Sequence, residues 1–99
     1  MLNIIGAGLA GLSAAITLAE KGISCNLVSN YPSERAQSVM AEGGINGALD
    51  TMGEGDNVEN HFADTMKAGG DIADEAAVRG LTNAAPGIIR YLGGLGVPF

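Results

Sequence analysis

The residues best placed to do chemistry are three glycines. Gly6, Gly8 and Gly11 stand in the run Gly6-Ala7-Gly8-Leu9-Ala10-Gly11, the spacing GxGxxG, between an apolar stretch and a helical one. In that context the first glycine permits a tight turn and the second lets a pyrophosphate approach the backbone. The third lets the helix pack on the strand, and the helix N-terminus supplies partial positive charge. A bare GxGxxG can be a structural turn; the flanking elements favour dinucleotide binding. A second cluster, Gly43, Gly44 and Gly47, lies in RAQSVMAEGGINGAL at 35–49. Adjacent glycines weaken helices and strands, so such a segment suggests backbone lying against a ligand.

Other candidates are sparse. Where a ribose-binding acid is expected, at the end of the second strand, the chain reads Val28-Ser29-Asn30. A serine hydroxyl can still bond a ribose, and the missing acid counts against NAD more than against a flavin dinucleotide. An ordinary strand-end turn is the alternative for Ser29. Glu42, with no neighbour to set its proton affinity, reads as a brace for its loop. His61 reads as a structural hydrogen-bonding residue and Val58, Phe62 and Met66 as core.

Composition narrows the classes. Five basic against eleven acidic residues give a net charge of −6, which disfavours nucleic acid and anionic membrane surfaces. Cys25 is the single cysteine and His61 the single histidine, so no internal disulfide and no Cys/His metal site is expected, in keeping with a reducing cytoplasm. The opening 22 residues are apolar, but they lack a basic start and are interrupted by spaced glycines, so neither a signal peptide nor a membrane span is expected.

The elements that position these residues follow from periodicity. Leu2 to Ile5 is a short apolar run, as in a buried parallel strand. Leu9, Leu12, Ala15, Ile16 and Ala19 recur at helical spacing to Lys21, Gly22 stops the helix, and Ile23 to Ser29 gives a second strand. That is a βαβ unit at 1–29. NYPSER at 30–35 and DTMGEGDN at 50–57 are loops by composition. A helical part spans 57–95: Val58, Phe62 and Met66 mark one helix closing at Gly69-Gly70, Asp74 caps another, and Pro86 is expected to start a further helical segment. The 99 residues allow one domain at most, and GLGVPF carries no domain-closing signal, so an incomplete domain is expected.

GAGLAGLSAAI, then LVSNYPSERAQSVMAEGGINGALDTMGEGDNVENHFADTMKAGGDIADEAAV, then NAAPGIIRYLGGLGVPF resembles the N-terminal portion of the flavoprotein subunit of succinate dehydrogenase and fumarate reductase. The ordered set AEGGINGAL, GEGD, HFADT, GGD and GVPF is far more specific than the glycine fingerprint. The resemblance implies an α/β fold with a Rossmann-like start, FAD as cofactor, and a flavin-contacting segment at 35–49. Cofactor contacts would fall on Gly6 to Gly11, on Ser29, Asn30 and Tyr31, and on Gln37, Ser38, Val39, Met40, Ala41, Glu42, Gly43, Gly44 and Ile45.

The resemblance implies interconversion of fumarate and succinate in a complete protein. It also implies an iron–sulfur subunit as partner, and a cytoplasmic location or one peripheral to a membrane through partner subunits. The family often reads R-S-H-T-V where this chain has Arg35-Ala36-Gln37-Ser38-Val39, so the flavin-bonding histidine is replaced by Gln37 and non-covalent FAD is expected. Asn30 stands where a lysine is common. Lys21, Arg35, Lys67, Arg79 and Arg90 form no legible dicarboxylate clamp, so no catalytic residue is assigned and the chain alone is expected to be inactive. An L-aspartate oxidase, whose matching segment usually reads more like YAQGGIAA, is the enzyme alternative. A truncated non-catalytic module and an NAD-binding module are the others.

Overall fold

The computed structural model describes residues 1–42 and 44–99; Gly43 lies outside the described residues. It divides into two compact units, Met1–Gly44 and Ile45–Phe99.

In the first unit, strand β1 (Leu2–Ile5) is followed by helix α1 (Leu9–Glu20) and strand β2 (Cys25–Val28). The strands pair in parallel, Leu2 opposite Cys25 through Ile5 opposite Val28, as a crossover helix requires. The pairing runs one step further, where the Gly6 N–H donates to the Val28 carbonyl at 2.8 Å. Sequence periodicity starts β2 at Ile23, but helix capping takes that residue. The Gly22 N–H donates to Ala19 and the Ile23 N–H to the Leu18 carbonyl, the Schellman pattern that closes α1, so the strand begins only at Cys25. A single turn of 3-10 helix, Ser33–Arg35, leads to a four-residue helix, α2 (Gln37–Met40). Ala7 and Ala36 are the buried apolar residues here, while Leu2, Ile5, Leu27 and Val28 are exposed. Parallel sheets are normally covered on both faces; among the described residues this one is not.

The second unit carries helix α3 (Val58–Gly69) and helix α4 (Glu75–Gly94). Each has a side-chain cap: the Asn57 carbonyl oxygen accepts the Asn60 N–H at 2.9 Å, and the Asp74 carboxylate accepts the Ala77 N–H at 2.8 Å. The helices pack on each other, and Thr82, Ala85 and Ile89 are the buried positions of α4. Thr82 is wholly buried, its hydroxyl satisfied by the Val78 carbonyl at 3.0 Å. Val58, Phe62 and Met66 are half-buried on α3. The Arg79 guanidinium lies 3.5 Å from the Phe62 ring centroid and pairs with Glu59 at 2.6 Å.

Pro86 does not begin a new helix. It lies inside α4, which is continuous from Glu75 to Gly94. The buried positions 82, 85 and 89 keep helical spacing across the proline, so tertiary packing of one continuous face outweighs the lost N–H. Among the described residues no helix is long and apolar enough to cross a membrane, and no group of three potential metal ligands gathers.

Candidate functional site

The in-register strands end level, so the chain segments leaving Ile5 and Val28 meet. Ile5, Gly6, Val28, Ser29, Asn30 and Tyr31 line a cleft of about 170 Å³ at that end. This brings the glycine turn together with the residues expected to meet a nucleoside. Gly6 has φ +106°, a conformation L side chains rarely adopt, so the turn there depends on glycine. A Cβ on Gly11 would collide with the Gly6 carbonyl and approach Ile4 Cγ2 to 3.4 Å. The turn and the first turn of α1 are therefore pressed together.

Helix α1 begins at Leu9 with Gly8 as its N-cap, so no side chain at the cap satisfies the opening N–H groups. Leu12 N–H makes the first helical bond, to the Gly8 carbonyl at 3.0 Å. The Leu9 N–H donates to Ser38 Oγ at 3.3 Å. The Ala10 and Gly11 N–H groups have no acceptor among the described residues. Two free donors at a positive helix end, behind a turn whose only side chain is the buried Ala7 methyl, fit the pyrophosphate of a dinucleotide.

The glycine-rich segment is less uniform than its composition suggests. Gln37, Ser38, Val39 and Met40 form α2, held by Val39 and Met40 N–H groups on the Ala36 carbonyl. Gln37, Ala41 and Glu42 are exposed, and Gly44 has φ +96°. Among the described residues the Glu42 carboxylate makes no hydrogen bond. Ile45 falls in the second unit, and the expected contact at Gly43 lies outside the described residues. A side-chain contact at Ser38 from 29 residues away leaves no periodic trace, and sequence reasoning missed it.

In the second unit, Asp50 organises the 50–57 loop: its Oδ1 accepts the N–H groups of Gly55 at 2.9 Å and Asp56 at 3.0 Å. A Cβ on Gly47 would collide with Ile89 Cδ1, so the segment passes close over α4. His61 departs from expectation. Its Nδ1 is buried without a hydrogen-bond partner among the described residues, at a cavity of about 440 Å³ that Asn46, Asp56, Asp64 and Thr65 also line.

A family model described as FAD binding domain matches residues 3–99. The succinate dehydrogenase flavoprotein subunit of Bacillus subtilis is 47% identical over 96 residues, covering 97% of this chain and 16% of that protein. The fumarate reductase flavoprotein subunit of Helicobacter pylori is 40% identical over 98 residues, covering 97% and 14%. An L-aspartate oxidase of Mesorhizobium japonicum is 40% identical over 96 residues, covering 97% and 18%. The chain thus spans between 14% and 18% of the length of these relatives. No solved structure matches it significantly.

Proposed function

We propose a function from one premise: the chain belongs to the FAD binding domain family, and its cofactor is FAD. It is the Rossmann-like N-terminal portion of a flavoprotein of the succinate dehydrogenase and fumarate reductase type, interconverting fumarate and succinate in the complete protein. The observation that carries this is the head of α1: two free N–H groups, a turn that requires glycine, and a cleft reaching Ser29 to Tyr31. The identity to two such flavoproteins over 97% of this chain supports the same reading.

When bound, FAD supplies the hydride chemistry. The residues of this chain do the holding. Ala10 and Gly11 N–H groups would hold the pyrophosphate, Ser29, Asn30 and Tyr31 the adenosine, and the segment from Gln37 to Ile45 the flavin. Gln37 leaves the cofactor non-covalent. An iron–sulfur subunit is the expected partner of the complete protein, with peripheral attachment to a membrane through partner subunits. Arg79 is engaged by Glu59 and Phe62, so it is not free to clamp a dicarboxylate.

L-aspartate oxidase is the second reading, favoured by the relative at 40% identity. The test is to assay the complete flavoprotein for fumarate reduction with a viologen donor and for aspartate-dependent peroxide formation. Activity on fumarate alone supports the proposal; activity on aspartate alone overturns it. The 99-residue chain by itself should turn over neither.

A further inference from the structure

Ser38 Oγ accepts the N–H of Leu9, the first residue of α1, from 29 residues along the chain. A Cβ added to Gly8 would stand 3.2 Å from that same oxygen and 4.0 Å from Ala36 Cβ. The first distance is tighter than side-chain packing normally allows, so the bare face of Gly8 is already in use by the chain itself. The segment that uses it is anchored: Ala36 is buried, and α2 begins one residue later and fixes the direction of Ser38.

The hydrogen-bond count at this helix end is informative. A helix opens with N–H groups that have no intrahelical acceptor, and here the protein satisfies Leu9 while leaving Ala10 and Gly11 open. The serine hydroxyl accepts from Leu9 and keeps its own hydrogen to donate. Segment and anion can therefore occupy one helix end without competing.

Resting on the FAD reading above, we propose that Ser38 is a positioning residue, a latch that seats the glycine-rich segment on the pyrophosphate end of α1 before the cofactor arrives. Gly8 is the other half of the latch, since a Cβ there would stand 3.2 Å from Ser38 Oγ and make it give by a few tenths of an ångström. The latch gives a non-covalent flavin site an anchor for its covering segment that does not depend on a bond at position 37. Its loss shows in how fast FAD leaves, because a loosened cover opens more often.

The test uses the complete flavoprotein and its apoprotein, with Ser38→Ala, Ser38→Thr and Gly8→Ala. In the apoprotein, Ser38→Ala should raise amide exchange at Leu9 and across residues 36–41 with exchange elsewhere unchanged. In the holoprotein it should speed FAD release about five-fold, as loss of one neutral hydrogen bond implies. Ser38→Thr should restore both. Gly8→Ala should loosen the segment in the apoprotein, where no pyrophosphate is present to clash.

Unchanged Leu9 exchange and FAD release in Ser38→Ala would overturn the latch, as would a Gly8→Ala variant whose apoprotein keeps wild-type exchange. If Ser38→Ala does not fold, Ser38→Cys keeps the volume with a poorer acceptor, and wild-type exchange and release rates in it would equally overturn the proposal. A wild-type protein that binds no FAD sinks the functional reading instead, while the apoprotein exchange still decides the latch.

Discussion

The carbonyl oxygen of Gly6 occupies the space in which a Cβ on Gly11 would lie. Two of the three fingerprint glycines are thus one contact between a turn and a helix, made within the protein whether or not a ligand is bound. Gly11→Ala should destabilise the fold by about 1–3 kcal/mol, the usual cost of overpacking against atoms that cannot give. Gly6→Ala should cost a similar amount through strain at φ +106°. Because each forces the other's backbone to move, the double variant should lose less than the sum. Urea unfolding of the four proteins measures this, and strict additivity would show that the two glycines act separately.

Asp50 should hold its loop through its side chain. It is the one described non-glycine residue at positive φ, 51°, and its Oδ1 collects the N–H groups of Gly55 and Asp56. Asp50→Asn keeps an acceptor and a residue type that tolerates this backbone. Asp50→Gly relieves strain and loses the acceptor; Asp50→Ala has neither advantage. Stability should fall in the order aspartate, asparagine, glycine, alanine, with alanine about 1–3 kcal/mol below wild type. Amide exchange at Gly55 and Asp56 should rise in the glycine and alanine variants. An alanine variant with wild-type exchange there would sink this account.

Gly47 and Ile89 should be coupled. The colliding atom is the far end of the isoleucine side chain, while the nearest backbone atom, the Ala85 carbonyl carbon, is at an ordinary 3.5 Å. Ile89→Val removes that methyl, so Gly47→Ala should be less harmful in the valine background than in wild type, by about 0.5–1 kcal/mol. Thermal or urea unfolding of the double-mutant cycle checks it, and a coupling of zero would mean that the isoleucine simply rotates aside.

What was legible in the sequence was what repeats or punctuates. Glycine spacing and apolar periodicity revealed β1, α1 and β2, and Asp74 revealed the start of α4 by the chemistry of its side chain. The features that escaped depend on where distant residues come to rest. Ser38 reads as one small polar residue in a glycine-rich run until the fold carries it to Leu9. Pro86 reads as a boundary until the packing of Thr82, Ala85 and Ile89 fixes the helix on both sides of it. Local composition likewise hides α2, because four residues among glycines and alanines have no room to show a period.

Gln37 should leave FAD free to dissociate. A covalent link through a histidine needs an imidazole nitrogen as nucleophile, and the amide nitrogen of glutamine has its lone pair delocalised into the carbonyl. The Gln37 side chain is exposed at the start of α2 and hydrogen-bonds nothing among the described residues, so no neighbour activates it. Retention then rests on the N–H groups of Ala10 and Gly11, the cleft at Ser29 to Tyr31 and the cover over them, a set of individually modest interactions. Acid precipitation of the complete flavoprotein should leave FAD in the supernatant and a polypeptide of unmodified mass in the pellet. A pellet heavier by the mass of FAD would show that another side chain carries the bond, and peptide mapping would then identify it and displace Gln37 from the position matched to the flavin-linked histidine.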